Sequence, residues 1–281
     1  MPIIFITAKN GQEDEQLGLE VGGNDFISKP INPNILLARI NTHLKLESYQ
    51  SWLRTENQHL EVQLRESLLD VMHLQEATLT VMASLAEFRD EETGNHIKRT
   101  QIYIQKLAQQ AAKDFPELNL TDNDISMITK CAPLHDIGKV TTPDSVLLKP
   151  GKLTDEEFAV MKQHAQKGKE ILQRAAKILG NKNRFLNIAQ DLAVSHHEKW
   201  NGQGYPAQLA GEAIPLCGRL MAIVDVYDAL RSERVYKAAF SHEKAIGIIK
   251  SGSGSHFDPQ LVESFLKLSN EIQQLSEEWK D

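Results

Sequence analysis

The chain has 281 residues, 41% of them hydrophobic, and its 38 acidic against 31 basic side chains give a formal charge of −7. That length predicts two domains, and the acidic balance argues against a partner held by broad phosphate neutralisation, so no DNA is expected. No apolar run of about 18 residues is present, Met1–Gln12 lacks the basic and apolar regions of a signal peptide, and Cys131 and Cys217 alone cannot build a disulfide framework, so no membrane span is expected and a reducing cytoplasm is.

Pro2–Thr7 (PIIFIT) is a short β-branched run, the pattern of a buried parallel strand. Residues 11–21 read as helix and Asp25–Ser28 as a second strand. Asn32–Leu46 then reads as a helix, with Ile35, Leu36, Ile40 and Leu44 at helical spacing. Thr7 ends the first strand and Lys29-Pro30 follows the second. In these features residues 1–45 resemble the C-terminal half of a response-regulator receiver domain, whose switch Ser/Thr and Lys-Pro fall at those places. That family's acidic pair and phosphoacceptor Asp belong to its N-terminal half, so the resemblance supports no phosphorylation here. It implies a small α/β remnant, whose open strand edge is an association hazard.

Residues 46–78 contain neither Gly nor Pro. Leu46, Leu53, Leu60 and Leu74 fit one position of a heptad seam and Leu64 and Val71 the other, with Gln50 and Asn57 as polar intruders and Ser67 as a break. A polar residue at a core position sets register in parallel coiled coils. The segment is therefore expected to be a linker helix that forms a homodimer, the alternative being one amphipathic helix packed on its own domain.

Residues 79–281 read as mostly helical, with stops at Pro133, Lys149-Pro150-Gly151, Gly180, Asn201–Pro206 and Ser251–Ser255. Thr154 and Glu157 form a T-x-x-E capping box, predicted to open a helix running through Phe158, Met161 and His164. The fold class is thus mainly α, with three parts: 1–45, 46–78 and 79–281.

Five segments of the last part offer metal-type ligands. Glu92 and His96 stand four apart and share one face if they share a helix; His135-Asp136 are adjacent; His164 lies on the capped helix; His196-His197 precede a Gly-rich loop; Asp225 lies in LMAIVDVYDAL. Each is weak alone. A single His on an amphipathic helix is more often packed or exposed than a ligand, a His-Asp dipeptide arises by chance, and Asp225 also suits a cap or an ion pair. Together they form an imidazole and carboxylate set suited to Fe, Mn or Zn rather than Ca or Mg. His43, His59, His73, His242 and His256 lack such company and are read as structural or exposed.

The order RDEETGNHIKRT (89–100), LHDIGKVTTPDSVLLKPGKLT (134–154), MKQH (161–164), HHEKWNGQGYP (196–206), DVYDAL (225–230), RVYK (234–237) and HFDP (256–259) resembles the HD-GYP domain. This is an all-helical subgroup of the HD phosphohydrolase superfamily that degrades cyclic di-GMP. The resemblance implies that His96, His135, Asp136, His164, His196, His197 and Asp225 are metal ligands. Glu92 falls on the carboxylate associated with a third ion, so two or three divalent ions are expected, Fe or Mn first and Zn as a further choice. Asp136, whose two oxygens suit a bridge, and Lys139, beside the phosphate or leaving group, are the expected catalytic residues.

Arg234 and Lys237 match positions that contact ligand phosphates and base. Tyr205 presents its ring or backbone to the nucleotide, or simply belongs to a tight loop. Asp228, one turn after Asp225, is read as a partner of a ligand imidazole or of substrate. Asn201, Val235 and Thr141-Thr142 depart from the common pattern without removing a ligand. The implied reaction linearises cyclic di-GMP to pGpG, with GMP as a further product. Two alternatives stand beside it: a signalling module contacting a diguanylate-cyclase partner, and a phosphodiesterase for another cyclic dinucleotide such as cyclic GMP-AMP.

Overall fold

The computed structural model describes residues 1–8, 16–17, 19–87, 94–178, 180, 183–233 and 239–279. Two compact units divide the chain, Met1–His73 and Leu74–Asp281. In the first, β1 (Ile4–Thr7) pairs in parallel with β2 (Asp25–Ser28), Ile4 opposite Asp25 and Thr7 opposite Ser28. Asp25 is the electrostatic centre of this unit. It opposes the burial that would raise its pKa by bonding His43 (3.1 Å), its own neighbour's amide and Arg39, and its carboxyl is held below the ordinary value.

The helix predicted over 32–46 and the one predicted over 46–78 are a single element, α1 (Pro33–Glu87). Nothing between them can stop a helix, since no Gly or Pro interrupts the run and Thr42 and Thr55 bond back to Ala38 and Ser51 within it. Both seam positions, Leu46, Leu53, Leu60 and Leu74 with Leu64 and Val71, are more than half exposed.

The regular elements of the second unit are helices among the described residues, joined by loops. Its elements are α2 (Gly94–Asp114), α3 (Asp122–Cys131), α4 (Asp144–Leu147), α5 (Asp155–Met161), α6 (Gln163–Ile178), α7 (Arg184–Ser195), α8 (Leu216–Arg231), α9 (His242–Ser251), α10 (Pro259–Lys267) and α11 (Ser269–Glu278). Two capping boxes start helices: Thr121 with Asp124 opens α3, and Thr154 with Glu157 opens α5. The core packs Tyr103, Ile104 and Leu107 of α2 against Leu220, Ile223 and Tyr227 of α8 and Phe265 of α10, all fully buried. Each such side chain contributes about 1.5–3 kcal/mol by leaving water. No described helix is long and apolar enough to cross a membrane.

One expectation needs correction. The helix opened by Thr154 does not run through to His164. The amide of Lys162 donates to both Phe158 O and Val160 O, which tightens the last turn and ends α5; α6 restarts at Gln163. His164 therefore sits in the first turn of a new helix.

Candidate active site

Short elements carry the metal-type residues to one place. His96 lies in the first turn of α2, which begins at Gly94. His135 and Asp136 sit between two 3₁₀ turns, Ala132–Leu134 and Ile137–Thr141, where Pro133 has ended α3. His164 opens α6, His196 caps the end of α7 with His197 following, and Asp225 lies on α8. Two groups of donor atoms result, each with its members' ligand atoms within 4.8 Å of one another: Asp136, His164, His196 and His197 form one, and His96, His135 and Asp225 the other. Glu92, Arg234, Lys237 and Val235 lie outside the described residues.

Asp136 stands between the groups. Its Oδ1 is 3.2 Å from His164 Nε2 and 3.5 Å from His196 Nε2, while Oδ2 is 3.3 Å from His135 Nε2 and 2.8 Å from Lys139 Nζ. Asp225 Oδ1 lies 3.9 Å from His135 Nε2 and 4.0 Å from His96 Nε2.

The ring orientations follow from what each Nδ1 touches. His135 Nδ1 bonds Ala132 O at 2.8 Å, His164 Nδ1 bonds Met161 O at 2.8 Å, and His196 Nδ1 bonds Ala193 O at 3.0 Å. A carbonyl only accepts, so each Nδ1 carries the proton and each Nε2 turns a lone pair inward. His96 reaches the same state through a carboxylate, its Nδ1 lying 2.7 Å from Asp228 Oδ2.

These lone pairs converge on carboxylate oxygens, and the arrangement is repulsive unless a cation sits among them. Asp136 Oδ1 and His135 Nε2 are buried without a hydrogen bond, which is costly for polar atoms out of water. The charge state agrees. Burial, then the neighbouring rings, hold His197 well below the ordinary imidazole pKa, and burial lowers His196. Burial would raise Asp136, but Lys139 and His135 outweigh it and hold the carboxyl well below its ordinary value. His135 is the exception: burial opposes its protonation, and Asp136 and then Asp225 overcome that and raise it. Imidazoles and carboxylates turned toward one another in this way are the donor set of a divalent transition metal, and the residues fit that group.

Asp228 bonds the His96 ring, in keeping with the first of the two roles left open for it. It is 1% exposed. Its oxygens are engaged by His96, by Arg99 Nε at 2.7 Å and by a second Arg99 nitrogen at 3.0 Å, so it lies behind His96 rather than facing a substrate. Arg99 was not singled out from sequence, although its place three residues after His96 puts both on one helix face. Asp228→Asn is expected to lower metal affinity about 10- to 100-fold with every ligand retained. Competition with a chromophoric chelator measures this, and an unchanged affinity would show that the pair only packs.

The loop after His197 is shaped from beneath. Buried Glu198 accepts from the amides of Ala207 (2.7 Å) and Leu209 (3.1 Å). Asn201 Oδ1 accepts from the amide of Gln203, holding the turn. A Cβ at Gly204 would come within 2.4 Å of Lys199 N and 2.5 Å of Glu198 Cα, so only glycine fits there. The loop thereby lays Tyr205 against His197, ring centroids 4.7 Å apart. Burial, then Asp136 and Asp225, push the Tyr205 phenol up, so it remains a donor.

Residues 80–261 match the family model described as HD domain. The chain belongs to the HD-domain family. Over 267 residues, 95% of its length, it is 48% identical to a Vibrio cholerae serotype O1 protein named "Probable cyclic di-GMP phosphodiesterase", of which it covers 60%. It is 55% identical over 214 residues, 75% of this chain, to a second protein of that organism named "Cyclic di-GMP phosphodiesterase", of which it covers 43%. A third protein from the same source, named "3'3'-cGAMP-specific phosphodiesterase 2", is 39% identical over 80% of this chain and 39% of its own length. The chain thus spans less than two thirds of each of these relatives.

Proposed function

We propose that this HD-domain chain is a metal-dependent phosphodiesterase that opens cyclic di-GMP to linear pGpG. The observation that carries this is the placement of Asp136, whose Oδ1 faces the imidazoles of His164 and His196 and whose Oδ2 faces that of His135, a member of the other donor group. Two or three divalent ions, Fe or Mn in preference to Zn, would be held by His96, His135, Asp136, His164, His196, His197 and Asp225, with Glu92 as the added ligand of a third. Such ions supply an activated water at neutral pH and neutralise the attacking and leaving oxygens of a phosphodiester.

The chain's own residues do the rest. Asp136 joins the two groups through its separate oxygens. Lys139, buried and 2.8 Å from Asp136, is assigned to neutralise a phosphoryl oxygen or to meet the leaving 3′ oxygen. Asp228 and Arg99 hold the His96 ring. Tyr205 closes one wall as a neutral donor, and Arg234 and Lys237 are assigned to the phosphates and base by the family resemblance alone.

Protein purified without oxygen, loaded with Fe or Mn and counted for metal per chain is expected to convert cyclic di-GMP to pGpG, and the His135→Ala/Asp136→Ala double variant is not. Product analysis over time separates pGpG from GMP as end point. Preferential turnover of cyclic GMP-AMP in direct competition would transfer the assignment to that substrate. Folded protein that holds no metal would instead favour an interaction module that contacts a diguanylate cyclase.

We further propose that residues 46–78 of α1 form a parallel homodimer and that residues 1–45 are a receiver-like segment working through it. The exposed leucine seam supports the dimer, because water contact along it is removed only by a second apolar face. Leu53→Lys with Leu60→Lys is expected to halve the mass seen by sedimentation equilibrium. A wild-type monomer at micromolar concentration would overturn the dimer.

A further inference from the structure

We propose that Phe158, Lys162 and Tyr205 form a purine subsite beside the metal centre, with Lys162 reading guanine; this rests on the phosphodiesterase function argued above. Phe158 is a large apolar side chain left 46% exposed. Its ring meets Tyr205 edge-on, centroids 6.3 Å apart at 81°, so the two make an open aromatic corner. Tyr205 in turn lies 4.7 Å from the ring of His197 and 6.4 Å from that of His164, both in the donor group around Asp136. The corner therefore abuts the place where a phosphodiester would be cut, and a nucleobase attached to it lies within reach.

The cation above the corner points to the base. Lys162 Nζ stands 5.2 Å from the Phe158 centroid and 6.0 Å from that of Tyr205. The two neighbouring lysines are engaged with carboxylates, Lys139 with Asp136 and Lys149 with Glu157. Lys162 pairs with no carboxylate among the described residues. The break between α5 and α6 puts it there. An ammonium is donor only, and guanine presents two acceptors, O6 and N7, on one edge, where adenine presents N7 beside an amino donor. Stacking on Phe158 or Tyr205 holds either purine; Lys162 discriminates for guanine.

The test measures equilibrium binding of GMP and AMP to metal-loaded protein by calorimetry, alongside turnover of cyclic di-GMP and of methyl p-nitrophenyl phosphate, a diester without a nucleobase. Phe158→Ala is expected to weaken GMP and AMP about tenfold or more, the usual loss for one stacked base, with turnover of the base-free diester unchanged. Lys162→Met is expected to weaken GMP at least fivefold more than AMP. Unchanged GMP affinity in Phe158→Ala overturns the subsite, as does an equal loss on the base-free diester, which would mean a disturbed metal centre. Equal losses of GMP and AMP in Lys162→Met overturn the guanine reading. Wild-type protein that binds GMP through Phe158 yet leaves cyclic di-GMP intact would sink the proposed reaction and keep the subsite.

Discussion

Asp136→Ala is expected to lose bound metal and to lower cyclic di-GMP turnover by at least about a thousandfold, since partners one step removed from a metal already cost 10- to 100-fold. The reason is its position rather than its charge alone. One carboxylate serves both donor groups, with Oδ1 toward His164 and His196 and Oδ2 toward His135. Its removal strips a carboxylate from a set of imidazole rings, which then have less to attract a divalent ion. The 2.8 Å ion pair between Asp136 and buried Lys139 is lost in the same step. Asp136→Asn separates shape from charge: it keeps the packing but offers one oxygen and an amide that cannot bridge, and the same loss is expected. Elemental analysis per chain with parallel turnover decides. Two ions and wild-type turnover in either variant would refute a bridging role.

Gly138→Ala is expected to destabilise the helical unit by about 3 kcal/mol or more, at the upper end of overpacking costs, and to lower its Tm by about 6–12 °C. A Cβ there would stand 1.9 Å from His164 O and 2.5 Å from Gly168 N. Both are backbone atoms, so no side chain can swing aside, and α6 itself must move. That movement would carry His164 away from Asp136, two residues before the substitution, so metal affinity falls together with stability. Gly247→Ala is the control. It lies within α9 with nothing within 4 Å of an added Cβ, and alanine there gains about 1 kcal/mol of helix propensity. Thermal melts of both variants compare the two sites directly; equal Tm values would show that the contact between Gly138 and α6 relaxes at little cost.

Much of the chemistry was legible in the linear text because it depends on residue type and near neighbours. Imidazole and carboxylate identify a transition-metal set wherever they lie. A capping box is complete within four residues, so Thr154 and Glu157 announced the start of α5, and the absence of Gly and Pro announced a continuous helix over 46–78. The histidines left aside illustrate the same locality: His242 lies between Tyr227 OH (3.0 Å) and Ser269 Oγ (2.8 Å), a packing role in keeping with its ordinary neighbours.

What depends on distance through space was decided only by the fold. Arg99 reaches Asp228 across 129 positions and His96 reaches it across 132, a separation no periodicity encodes, so the support of the His96 ring and the closing of Asp228 to substrate came only with the packing of α2 on α8. The break at Lys162 has no Pro or Gly to mark it. It arises where α6 is drawn against Gly138, and it moves His164 to the head of a new helix and Lys162 over Phe158. Sequence by itself determined which atoms this protein offers to a metal and to a phosphodiester. Tertiary structure decided which of them face one another, because backbone close approach and buried ion pairs are set by contacts between segments far apart in the chain.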